Sequence, residues 1–279
     1  MLSNTSGTEY TWAGKGTKRG GELGHDIQRH SCLGRKVKAN TSIARPNGGS
    51  DKPRALLRLA LGVGFQVLIV AAILFISSGR LNWWAAWVYL GIYIVGSTVS
   101  ILAMVLYNPE LIAERTQGMR PDTKGWDRAV VNLYGFAIGI LTPLIAGLDM
   151  RFGWSQPIPL AVPVVALLFA LLGFGVGSWA VALNRFYIAT VHVQKDRGHS
   201  VVSDGPYRFI RHPGYLGSIM ACIGTPLILN SPWALIPAAL AIFLLAVRTA
   251  LEDRTLREEL DGYRQYAQRV RYRLVPGIW

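Results

Sequence analysis

Apolar residues run through this chain in long unbroken blocks, not in the three- and four-residue stripes of a soluble helix. Ala55 to Ser77, Trp83 to Tyr107, Ala129 to Leu148 and Leu160 to Leu183 each reach the roughly 20 residues that a helix needs to cross a hydrocarbon core. Two shorter blocks, Tyr215 to Leu229 and Trp233 to Leu251, flank Asn230, Ser231 and Pro232, a run of turn formers that suits a tight helical hairpin. The pattern predicts an all-α fold, a polytopic transmembrane helical bundle of about six spans whose last two form that hairpin. Beyond Leu251 the chain turns polar, but Leu256, Leu260, Tyr263 and Tyr266 recur at helical steps, which predicts an amphipathic C-terminal helix against the membrane face or the bundle.

Charge changes the picture by giving the bundle a direction. With the N-terminus inside, the inner segments flanking the spans, from Arg45 onward, and the tail hold 20 of the 29 Lys and Arg, whereas the outer loops hold only Arg80 and Arg151. This asymmetry predicts an integral membrane protein with both termini cytoplasmic. It also accounts for the formal net charge of +13, and no aromatic-basic module accompanies that charge, so nucleic acid is not an expected partner. Residues 1–54 are rich in Gly, Ser, Thr, Asn, Lys and Arg and lack an apolar signal core, and so read as a disordered basic cytoplasmic arm. Residues 55–183 then form four transmembrane helices, and 184–279 hold the remaining polar chemistry. Cys32 and Cys222 make neither a disulfide framework nor a metal site, and His25 and His30 in the arm lack ligand spacing.

Other motifs read as structure. GFGVGSW at 173–179 lies within a span and has no preceding strand, so it fails the context of a dinucleotide-binding loop. Gly173 and Gly177 instead suit close helix approach, and Pro143 and Pro163 suit kinks.

The chemistry concentrates at two places. RFIRHPGYLG, 208–217, sets Arg211 and His212 before Pro213, a residue favoured in the first turn of a helix. Free N–H groups, an arginine and a histidine make an anion-binding corner, while the same residues also satisfy a membrane-edge charge bias and a helix cap. Arg248 and Glu252 stand four apart near the end of the last span, with Asp253 adjacent. Ionisable groups at such depth are expensive and commonly functional, and a plain Arg248 to Glu252 ion pair is the structural alternative. A hairpin brings these two corners together.

The chain resembles the integral-membrane isoprenylcysteine carboxyl methyltransferases and their bacterial relatives, a family related to phospholipid methyltransferases. SDGPYRFIRHPGYLG, RTALEDRTL, GYRQYAQRVRYRLVPG and, earlier, NPELIAER carry the resemblance. The family's acidic pair is usually Glu-Glu. Here the aligned pair is Glu252-Asp253, and a literal Glu258-Glu259 follows six residues later.

The resemblance implies S-adenosylmethionine as cofactor and a lipophilic or lipid-linked acceptor reaching the site from the bilayer. On that basis Arg211 and His212, with Pro213 and Gly217 of the same signature, are expected at the cofactor. Glu252 or Asp253 would take its ammonium or ribose, and Tyr207 and Tyr215 would wall its base. Arg248 is expected to orient an acceptor carboxylate, with Asn184 facing the same region and His212 available as a base for an amine acceptor. The rival classes are an NADPH-dependent membrane reductase of the sterol reductase type, a phospholipid N-methyltransferase and a non-catalytic membrane protein.

Overall fold

Inside hydrocarbon every backbone polar group needs an internal partner, and the apolar blocks meet that demand as helices. The computed structural model describes residues 51–116, 123–188, 190–194 and 197–279; the expectations for residues 1–50, Arg120 and Lys195 lie outside them. Nine α-helices are described: α1 (Asp51–Ser78), α2 (Trp84–Tyr107), α3 (Glu110–Thr116), α4 (Gly125–Phe136), α5 (Thr142–Phe152), α6 (Ala161–Leu183), α7 (Pro213–Ile228), α8 (Leu235–Glu259) and α9 (Tyr263–Arg269). Among the described residues there is no strand.

Among the described residues five helical stretches are long and apolar enough to span: Pro53–Ser78, Trp84–Tyr107, Gly125–Phe152, Ala161–Leu183 and Pro232–Glu259. The protein is an integral membrane protein of all-helical fold. Leu61, Phe65 and Leu68 of α1 and Leu168 and Leu172 of α6 point outward and exposed, as lipid-facing side chains do. The sixth expected span, α7, has 16 residues. At 1.5 Å per residue it falls short of the roughly 30 Å hydrocarbon core.

The expected hairpin between α7 and α8 is present. Asn230 takes a positive φ of 59°, and Ser231 Oγ accepts a hydrogen bond from the Ala234 N–H at 3.4 Å. At this end of the bundle the buried Asp149 carboxylate accepts from Ser155 Oγ at 2.8 Å and from Ser231 Oγ at 2.6 Å, tying α5 to the hairpin. Exposed Trp84, Trp87, Trp154 and Trp233 belong to the same end, an aromatic belt of the kind found at membrane interfaces.

Helices α6 and α7 form the closest pairing. A Cβ added to Gly217 would lie 2.4 Å from Gly173 O and 3.0 Å from Gly177 N, so the two backbones touch because these side chains are missing. Gly177 contributes backbone only, since a Cβ of its own would meet nothing.

Several expectations are corrected in detail. The third span is longer than Ala129 to Leu148 and is interrupted by a π-turn, Ala137–Leu141, between α4 and α5. Pro143 offers no N–H to the carbonyl four residues back, and the wider turn accommodates that loss. Pro163 stands in the first turn of α6 and therefore costs no helical hydrogen bond. The polar C-terminal stretch is not one helix. α8 runs on to Glu259, the chain bends through Gly262 at φ 79°, and α9 turns Tyr263, Tyr266 and Ala267 inward. Burial of Leu260 and those tyrosines against Val193 and Val201 outweighs continuing a straight helix into solvent.

Candidate functional site

The end of the bundle opposite the tryptophan belt gathers the C-terminus of α6, the N-terminus of α7 and the polar end of α8. His212 is the N-cap residue of α7 and Pro213 its first helical residue. The segment before it is held to the tail, because the Arg211 and His212 N–H groups donate to Tyr272 O at 3.0 Å and Arg273 O at 2.9 Å. Tyr266 adds a third tie, its hydroxyl donating to Tyr207 O at 2.7 Å. The GPYR, RHP and closing tyrosine motifs are thus one folded unit.

Asp253 is the centre of that unit. Its fully buried carboxylate accepts from Arg211 Nε at 2.7 Å, Arg257 Nε at 3.0 Å, Arg273 Nε at 3.1 Å and the Tyr263 hydroxyl at 3.0 Å. Arg211 also donates to the carbonyls of Val270 at 2.6 Å and Arg271 at 2.8 Å. Most of the guanidinium's five donors are therefore used inside the protein. Glu252, one residue earlier, faces the other way. It accepts a short hydrogen bond from the Tyr215 hydroxyl, and His212 Nδ1 lies 3.9 Å from it. Glu258 and Glu259 make exposed pairs with Arg254 at 2.9 Å and Lys124 at 2.7 Å.

Two cavities meet here. The polar one, about 300 Å³, is lined among others by Asn184, Tyr207, Arg211, His212, Tyr215, Arg248 and Glu252. The second, about 380 Å³, runs between the helices past Val70, Ile92, Phe174 and Ile228. Both fall in the size range of small-molecule sites. Arg115, Tyr134, Tyr187, Gly214 and Ser218 line both and mark the junction.

Seven of the residues singled out in the sequence therefore converge on one cavity, and three do not. Asp253 is buried in its arginine cluster, away from the cavity wall. Pro213 is buried at the start of α7. Gly217 faces the backbone of α6, because on α7 it falls on the helix–helix side, where only glycine lets the chains touch.

Arg248 does not form the ion pair with Glu252 considered from the spacing. Its Nε donates to Asp127 Oδ1 at 2.8 Å, and its guanidinium stacks over the Tyr215 ring at 5.3 Å. Asp127 is wholly buried on α4 and also accepts from the Val191 N–H at 2.7 Å, so it fixes both Arg248 and the loop after α6. Sequence reasoning missed Asp127, Arg115 and Tyr187. An acidic residue two positions before an apolar block was the available signal for Asp127.

Asn184 caps α6. Its Oδ1 accepts from the Phe186 N–H at 2.9 Å and its Nδ2 donates to the Tyr207 hydroxyl at 3.2 Å. Burial pushes the Tyr187 and Tyr207 phenols up, so both remain protonated donors at neutral pH. The Nε2 atoms of His212 and His192 are buried without a hydrogen-bond partner; for His212 the nearest acid, Asp253 Oδ1, is 3.6 Å away. Unsatisfied buried polar atoms beside a cavity are what a polar ligand completes.

The packing of His199 after α6 carries a pH dependence. Burial first, then the neighbouring His192, Arg197 and Arg185, lower His199 to about 4. Its neutral Nδ1 accepts from the Gln194 N–H at 3.3 Å, and its ring stacks on Phe186 at 4.3 Å. An unfolded histidine titrates near ~6.5, so between the two values the opened loop binds a proton that the closed loop does not. The loop's stability is complete above that upper value and declines as pH falls toward 4. An NMR titration is expected to place the imidazole midpoint near 4, with loss of the Gln194 amide signal at lower pH; a midpoint near ~6.5 would mean an open, solvated ring.

The fold and the cavities define a class: a polytopic helical membrane protein with a polar, mixed-charge pocket at one face that continues into an apolar cavity within the bundle. Residues 165–258 match the model of the Isoprenylcysteine carboxyl methyltransferase (ICMT) family. The resemblance read from the motifs is borne out over that region. The "Probable protein-S-isoprenylcysteine O-methyltransferase" of Oryza sativa subsp. indica is 28% identical over 112 residues, 39% of this chain and 59% of the relative. "Protein-S-isoprenylcysteine O-methyltransferase B" of Arabidopsis thaliana is 28% identical over 92 residues, 32% of this chain and 47% of the relative. The chain spans about half the length of the curated relatives it matches. A solved structure of the eukaryotic intramembrane Ras methyltransferase ICMT aligns over 77% of this chain and 74% of that one, with 18% identity and a TM-score of 0.48.

Proposed function

We propose that this protein is an S-adenosylmethionine-dependent methyltransferase acting on a lipophilic carboxylate, of the isoprenylcysteine kind, at the cytoplasmic face of the membrane. The observation that carries the reading is the junction of the two cavities, which suits a charged small molecule on one side and an apolar chain on the other.

The residues of the polar cavity fit the cofactor. A methionine end carries both charges and needs both kinds of partner. Glu252 suits the ammonium or ribose, and His212 at the cavity wall suits another polar edge. Tyr207 and Tyr215 offer aromatic walls. When bound, the sulfonium supplies an activated methyl group.

The protein's own part is to bring a carboxylate oxygen into line with that methyl and to keep water out. A carboxylate is already a nucleophile and needs no base. Arg248, held by Asp127 and by Tyr215, lends positive potential to the wall facing the acceptor.

The test uses membranes containing the protein, methyl-labelled S-adenosylmethionine and N-acetyl-S-farnesylcysteine. Label released by mild base, as from an ester, is expected in the extracted acceptor. Base-stable label on amine lipids would favour N-methylation, and stabilisation by NADPH but not by S-adenosylmethionine would favour the reductase.

A further inference from the structure

The junction of the two cavities contains one guanidinium that the reading above leaves unused. α3 follows Asn108, whose Nδ2 donates to Val181 O at 2.8 Å and Ala182 O at 2.7 Å, clamping the end of α2 to the last turn of α6. Leu111 and Ile112 are buried against α1 and α6, which anchors α3 by its inner face. Arg115 is four and three residues further on, so the same face turns it inward. Its guanidinium lies over the Tyr187 ring at 5.2 Å, and its Nε is buried with no hydrogen bond.

The other two guanidiniums of the polar cavity are held by acids, Arg211 by Asp253 at 2.7 Å and Arg248 by Asp127 at 2.8 Å. A second carboxylate brought to Arg248 would meet the charge of Asp127, and one brought to Arg211 would compete with Asp253. Arg115 lines both cavities and is the cation among the five residues they share. An amphiphile with its tail in the apolar cavity places its head at this point.

We propose that Arg115 binds the carboxylate of the lipophilic acceptor and so selects acidic head groups. This assignment rests on the carboxyl methyltransferase reading. In the reaction a carboxylate oxygen attacks the sulfonium methyl, the new C–O bond forms as the C–S bond breaks, and the electron pair of that bond stays on sulfur. An anion and a cation become a neutral ester and a neutral thioether, and no proton moves. The acceptor loses its charge on the way to the transition state, so Arg115 holds the ground state more strongly than the transition state. Its removal should raise KM while leaving kcat unchanged or slightly higher.

The experiment compares wild type, Arg115→Gln and Arg115→Lys in detergent, with N-acetyl-S-farnesylcysteine as substrate and its carboxamide as a competitor that cannot be methylated. Arg115→Gln is expected to raise the KM of the carboxylate roughly 10- to 100-fold, the range of a charge-assisted hydrogen bond. Carboxamide inhibition and S-adenosylmethionine affinity should stay within about twofold, and Arg115→Lys should recover part of the loss. A general loosening of the fold would weaken both competitors and the cofactor alike. If Arg115→Gln keeps the preference for carboxylate over carboxamide, the assignment of Arg115 is overturned and the methyltransferase reading stands. If wild type methylates no carboxylate at all, both are overturned.

Discussion

Asp253→Asn is expected to lose about 3–5 kcal/mol of stability, the scale seen when one partner of a buried ion pair is removed. The carboxylate pairs with Arg211, Arg257 and Arg273 at once. Arg257 and Arg273 are partly exposed and would turn to solvent, whereas Arg211 is buried and has nowhere to go. The cost therefore concentrates on Arg211, and through it on the backbone ties between the RHP segment and the tail. Thermal unfolding in detergent should show a lower midpoint, with proteolysis first releasing the segment after α8. An unchanged midpoint together with an intact tail would show that the cluster is not what holds the C-terminal unit.

Glu252→Gln should do the reverse. Glu252 is accessible at the cavity wall, and glutamine keeps an oxygen to accept from the Tyr215 hydroxyl, so the fold should survive. What is lost is the negative charge that the proposed cofactor's ammonium would meet. Calorimetry should find S-adenosylmethionine binding weaker by roughly 10- to 100-fold, the range of a hydrogen bond between charged groups. His212→Ala should weaken binding in the same direction without loss of membrane insertion. Wild-type affinity in both variants would remove these residues from the site.

These two variants concern adjacent acidic residues with opposite assignments, and that contrast shows where sequence reasoning stops. The motif pointed to Glu252 and Asp253 as a pair, and the hairpin correctly brought them beside Arg211 and His212. Consecutive residues on a helix point about 100° apart, so a pair that looks like one feature in the sequence divides between a cavity and a core. Glu258 and Glu259 went unused for a related reason: in the last turn of α8 they face solvent and meet Arg254 and Lys124. Gly217 belonged to the signature, but its small size serves the contact with Gly173. Asp127 was not singled out by the sequence, and Arg115 counted only toward the inner charge and as the end of NPELIAER. Their partners are 121 residues away for Asp127, at Arg248, and 72 residues away for Arg115, at Tyr187.

The sequence by itself determined that this chain is a helical membrane protein, where its five long spans lie, that the last of them folds back on the shorter α7, and which motifs meet at their polar end. Those features follow from run length, turn chemistry and charge, which are local and leave a chain in lipid few alternatives. Only the tertiary structure decided which charges are neutralised inside the protein and which face a cavity. It also decided that the polar pocket continues into an apolar one, with Arg115 between them. Those outcomes depend on side-chain direction and on contacts between distant helices, which the periodicity of one segment does not encode.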